Sequence, residues 1–232
     1  MERKRSMKDK DGTRKENQVS ATITDAPSTI TGTVTLNAIA LDHLLGGAAL
    51  AAHKQEDLPG LNGIRIELSP GKVRAVATDR YRLFMGDYES ETITDSAALM
   101  ISLKDAEKVR KFLAPIVKNR IIVKDVTVTF DTVSDTLSLS HFTGSMSTRL
   151  DSYRTFPQYE HLFPTEFAGV DAISLSPKFL ADFAKIPGLD KDTLIKFRIN
   201  AANRPVMATI NTDLVAWHLL LMPMREETVN EG

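Results

Sequence analysis

Thr78, Asp79, Arg80, Tyr81 and Arg82 stand together in the run VATDRYRLF (76–84), two cations around an aromatic at the junction of two apolar stretches. An enzyme could use such a group to hold an anion, with Asp79 as general base. A binding module could use it to rim an apolar pocket. Other chemistry is sparse: no Walker-type glycine loop, dinucleotide fingerprint or HExxH pair occurs. The five histidines (His43, His53, His141, His161 and His218) lack metal-ligand spacing. The absence of cysteine removes disulfides, thiolate zinc sites and cysteine nucleophiles together, and fits a reducing cytoplasm. Gly46-Gly47 falls inside a helix-period run and reads as a bend or a point of close packing rather than a phosphate cradle. Asp79 reads as a turn aspartate that hydrogen-bonds its own backbone. The sequence therefore predicts no enzyme, no cofactor and no metal.

The elements that position these residues belong to an ordinary globular chain, with 42% hydrophobic and 25% charged residues in 232. No apolar run reaches membrane-spanning length. A net charge of −1 argues against a surface that coats nucleic acid throughout, so contact with DNA requires a local basic stripe. Residues 1–31 alternate Lys and Arg with acids and then turn Ser/Thr-rich, with too little apolar surface to offset ordering entropy; they read as a basic, disordered tail. Residues 226–232 read as an acidic tail.

From Gly32 onward the chain repeats itself. VTLNAIALDHLL (34–45), ISLKDAEKVRKFL (101–113) and ISLSPKFLADFA (173–184) each run from a short alternating strand into a helix-period stretch, marked by Leu36, Leu103 and Leu175. Each is followed by three period-2 segments, for example GIRIELS (63–69), KVRAVAT (72–78) and YRLFMGDY (81–88), separated by turn signals. Three strand-helix-three-strand units are expected. One helix on a four-stranded sheet leaves a face partly covered, so such a unit needs a partner.

This repeat, together with LNGIRIELSPGKVRAVATDRYRL (61–83), FPQYEHLFP (156–164) and LLMPMR (220–225), resembles the β subunit of bacterial DNA polymerase III, the replicative sliding clamp. The resemblance implies an α+β DNA-clamp fold with helices inside and antiparallel sheets outside. In that family each chain holds three domains of two units, and two chains close a ring around duplex DNA. Residues 32–165, as units 32–92 and 97–165, resemble the middle domain. Residues 166–225 resemble the second half of the last domain.

The resemblance further implies a pocket for the short peptides carried by DNA polymerase, clamp loader and repair proteins. Its wall is expected from Leu61, Thr78, Tyr81, Arg82, Leu83, Pro164, Leu220, Met222, Pro223 and Met224. Helices that line a ring meet phosphates without reading bases, and Lys54, Lys104, Lys108, Arg110, Lys111 and Lys185 are the expected contacts. The implied function is a cytoplasmic processivity factor that tethers replication proteins to duplex DNA. The alternative is an adaptor or decoy that keeps the pocket and encircles nothing. The third unit lacks a mate within the chain and would expose Phe179, Leu180 and Phe183, so a homo-oligomer is expected.

Overall fold

The computed structural model describes residues 30–167, 173–201 and 203–224; residues 1–29 of the expected N-terminal tail, the expected acidic tail and Arg225 lie outside them, while Thr31, expected in the tail, opens the first strand. The first unit runs β1 (Thr31–Asn37), α1 (Ala38–Ala51), β2 (Gly63–Ser69), β3 (Lys72–Thr78) and β4 (Arg82–Glu89). The second runs β5 (Ala97–Ser102), α2 (Leu103–Lys118), β6 (Asp125–Asp131), β7 (Thr136–His141) and β8 (Gly144–Arg149). The third contributes α3 (Pro177–Phe183), β9 (Ile195–Arg198), β10 (Val206–Asn211) and β11 (Ala216–Leu221). No described helix is long and apolar enough to cross a membrane.

The helices begin where short polar side chains can receive orphan N–H groups. The Asn37 carboxamide accepts from the amides of Ile39 and Ala40, and the Ser102 hydroxyl from that of Asp105. Leu36, Ile101 and Leu175 each stand directly before the N-cap position, Asn37, Ser102 and Ser176, although the Ser176 side chain makes no capping hydrogen bond. Leu103 is the first residue of α2, so the expected leucine marker is off by two there.

The leading strands do not stay in their own units. β1 pairs antiparallel with β6, Leu36 opposite Val126, and β5 pairs with β2, Ile101 opposite Ile64. The two units thus exchange strands, and α1 packs against α2 beneath the sheets. This is the mate each unit required. The sheets read β1-β6-β7-β8 and β5-β2-β3-β4-β11-β10-β9.

The third unit joins differently. Its last strand, β11, lies antiparallel to β4, extending that sheet to seven strands. Residues 173–176, expected as a strand, have no strand assignment. The physical reason is in the first two units, where a leading strand forms only by crossing to a mate.

The expected exposure of the α3 face is also corrected. Phe183 is buried against Phe84 of β4, ring centroids 5.7 Å apart, and Phe179 lies against Tyr81, while Leu180 is partly buried. The single tryptophan, Trp217, fills the joint. A Cβ at Gly47 of α1 would lie 2.2 Å from its ring, and one at Gly86 of β4 2.7 Å. Gly47 is therefore a packing glycine, and its neighbour Gly46 leaves room for the Arg110 guanidinium.

Candidate functional site

The run 76–84 is a β-hairpin end. Asp79 Oδ1 accepts from the amides of Tyr81 (3.0 Å) and Arg82 (3.1 Å), the turn role expected of it. The Thr78 hydroxyl donates to the Arg82 carbonyl at 2.7 Å. Arg80 takes a left-handed conformation, φ 79°, which the tight reversal demands and a side chain resists.

Strand alternation then sends the residues of β4 to opposite faces. Arg82 and Phe84 face the helices. Arg82 is buried, its guanidinium 4.7 Å from the Phe179 ring centre and ion-paired with both Asp79 and Asp182. Tyr81 stacks on Phe179 at 6.3 Å. These two expected pocket residues fasten α3 to β4. Burial raises the Asp182 carboxyl, but hydrogen bonds from Lys185 and Arg82, and their charges, hold it below the usual carboxylate range.

Leu83 and Met85 face the other way, into a second apolar core with Val76, Met100, Phe156, Tyr159 and Leu220. This core exists because the link after β8 folds back over the outer face of the sheet. The Asp151 amide donates to the Met100 carbonyl at 2.8 Å. The Arg154 guanidinium donates to the carbonyls of Pro59 and Asn62. Gly60 is required at the crossing, since a Cβ there would lie 2.7 Å from the Thr155 carbonyl oxygen. The Tyr159 hydroxyl donates to Glu67 at 2.9 Å. Burial, then the Glu67 carboxylate, pushes its ionisation far up, so it remains a neutral donor.

Between the link and the 58–61 loop lies an open cleft of about 480 Å³, within the range of small-ligand and peptide sites. Leu61, Thr78 and Leu83 line it with Leu58, Tyr159 and Leu162, and Arg80 stands at its rim. Pro164 lines an adjoining recess of about 300 Å³ that shares Leu162. Leu220 sits beneath, opposite Leu83 across the β4–β11 ladder. Beyond β11 the Met222 amide donates to the Tyr81 carbonyl and the Met224 amide to the Ser174 carbonyl, both at 2.8 Å. Both side chains are exposed, with Pro223 partly so between them. Sequence reasoning missed Leu58, Thr155, Pro157, Gln158, Tyr159 and Leu162. The signal was present in FPQYEHLFP, whose aromatic and proline spacing fits a strap with one side down.

The expected basic residues divide as well. Helical spacing sets Lys104, Lys108, Lys111 and Lys118 on one exposed face of α2. Lys108 pairs with Asp105 at 2.6 Å and Lys111 with Glu107 at 2.9 Å. Arg110 points off this face to Asp42 of α1, 2.9 Å, and ties the helix pair. Lys185 pairs with Asp182 at 2.6 Å, and Lys54 donates to the Ala49 carbonyl at the end of α1. Burial, then the Arg82 charge, lowers the Lys54 ammonium. Lys104, Lys108, Lys111 and Lys118 therefore form a stripe, while Arg110, Lys54 and Lys185 lie off it, each with a partner of its own.

A strand-exchanged pair of βαβββ units with helices on one side and sheets on the other defines the sliding-clamp class of α+β fold. Residues 35–141, a little under half of the chain, match the family model "DNA polymerase III beta subunit, central domain". The beta sliding clamp of Streptomyces coelicolor is 28% identical over 131 residues, 56% of this chain and 34% of that protein. The chain thus spans well under two thirds of the length of that relative. The DNA polymerase III β subunit of Thermotoga maritima superposes with a TM-score of 0.71 at 20% identity, over 84% of this chain and 66% of that one. The DNA polymerase sliding clamp of Bacillus subtilis gives 0.66 at 16% identity, over 84% and 65%.

Proposed function

We propose that this chain is a clamp-type tethering protein without chemistry of its own, holding DNA polymerase and other replication proteins to duplex DNA through peptides seated in the cleft. The observation that carries this reading is the cleft itself: Leu61, Thr78 and Leu83 converge there with Leu58, Tyr159 and Leu162, and Leu83 and Tyr159 are backed by the buried core of Met85, Met100 and Leu220. An open apolar cleft of this kind accepts leucine and phenylalanine anchors, while a few polar groups orient the peptide backbone. Its rim supplies Arg80 and the backbone of the link for orientation.

The lysine stripe of α2 fits a sequence-independent phosphate contact. Retention on DNA would come from closure, which requires joints at the outer strands β8 and β9, the ends of the two sheets that lie away from the exchanged strands. The second reading, an adaptor that binds clamp-partner peptides and encircles nothing, is favoured by one observation. Two lysines of the stripe are already paired with Asp105 and Glu107, so the face is only weakly cationic.

Binding of a fluorescent peptide with adjacent leucine and phenylalanine anchors, followed by anisotropy, tests the cleft. Saturable binding is expected, lost in Leu162→Asp, which alters an exposed lining residue. Absence of binding to the native chain sinks the peptide role. Retention on circular but not linear duplex separates ring from adaptor.

A further inference from the structure

β2 and β6 each lie between two strands, whereas β9 pairs, among the described residues, with β10 alone. The register makes the three strands comparable. Ile64 and Ile66 of β2 correspond to Ile195 and Phe197 of β9, since Ile66 faces Ala75 in β3 as Phe197 faces Ala208 in β10. In β6 the corresponding inward residues are Val126 and Val128. Ile64 and Val126 are 0% exposed and Ile66 and Val128 7% and 6%, under the strands that cross to them. Ile195 and Phe197 are 39% and 44% exposed. The third unit has the inward-facing apolar row of a completed unit without the strand that completes it.

The occupant follows from the exchange seen in the first two units. A leading strand pairs there with the mate's sheet and never with its own: β1 with β6, β5 with β2. Residues 173–176 hold the leading position of the third unit and end on the α3 cap Ser176, as β5 ends on the α2 cap Ser102, which sets Leu175 level with Ile101. We infer that the β9 edge is the seat of a second copy of this chain, whose residues 173–176 add antiparallel to β9 while those of the first copy add to the partner's β9. Only another third unit supplies both a leading segment and a vacant edge of matching pattern. The outward cations Lys196 and Arg198 do not oppose this, since β2 carries Arg65 outward and is paired on both sides. The inference rests on the fold and holds whether or not peptides or DNA bind.

The register gives a direct test. Leu36 faces Val126 and Ile101 faces Ile64, so Leu175 of one copy should face Ile195 of the other. The chain contains no cysteine, which allows Leu175→Cys with Ile195→Cys to report that contact without background. Mild oxidation of the full chain should convert most of the double variant to a covalent dimer. The offset pair, Ser174→Cys with Ile195→Cys, should convert several-fold less. Light scattering over a concentration series should show twice the chain mass for the native protein, moving toward the single mass in Phe197→Lys at unchanged circular dichroism. A native chain that stays monomeric, as it would if residues 1–29 covered β9, overturns the inference. So does a disulfide confined within one chain, or a dimer that the paired cysteines fail to trap.

Discussion

The chain has two seams of different construction. Between the first and second units, strands cross in both directions and α1 lies on α2, so separating them would tear two ladders and a helix pair at once. Between the first and third units there is one ladder, β4 to β11, backed by Trp217 and by Arg82 held between Asp79 and Asp182. The same repeated unit can thus be joined by exchange, which merges two units into one cooperative body, or by edge addition, which leaves a few side chains in control. The edge-added seam should open first.

Trp217→Ala tests that order most severely. Removing a fully buried indole between Gly47 and Gly86 should cost about 3–5 kcal/mol. Hydrogen exchange should then accelerate in β9 to β11 well before β1 to β8. A uniform loss of protection would show that the seams are one unit. Arg82→Ala should follow at about 3 kcal/mol in urea unfolding, because it leaves Asp182 with only Lys185; Arg82→Ala combined with Asp182→Leu should recover a large part of that loss.

Acid should act on the same seam. His43 of α1 and His218 of β11 are both held below the ordinary imidazole value by burial. The Asp42 charge offsets this at His43 and Arg110 adds to it; at His218 Asp87 offsets it while Arg74 and Lys72 add to it. With folded pKa values depressed, the unfolded chain binds more protons, so stability falls as pH drops through about 6.5 toward the folded values. The Asp182 contribution has the opposite neighbourhood and persists until the pH falls below the usual carboxylate range. Thermal melts between pH 7.5 and 5 should show the decline, and His43→Gln with His218→Gln should flatten it. The smallest effect expected is Arg80→Gly, which relieves the left-handed backbone and should stabilise by about 0.5–1 kcal/mol.

The three repeats were legible because period-2 and period-3.6 apolarity alternate cleanly along the chain. Residues 173–176 carry the same local pattern, yet strand formation there depends on a mate that no local signal encodes. The side that Arg82 takes was hidden for a related reason. β4 is buried on both faces, so its sequence does not say which side Arg82 takes, and only the position of α3 decides it. That Arg110 reaches to Asp42 was not legible either, because a cation on an exposed helix and one paired to a neighbouring helix look alike in sequence.

Because Trp217 is the only tryptophan in the chain, its fluorescence comes from the seam between the first and third units and nowhere else. The indole is sealed from water in the assembled protein, so a red shift in emission reads seam opening directly, without any label. The protein carries a built-in optical gauge at the joint expected to open first.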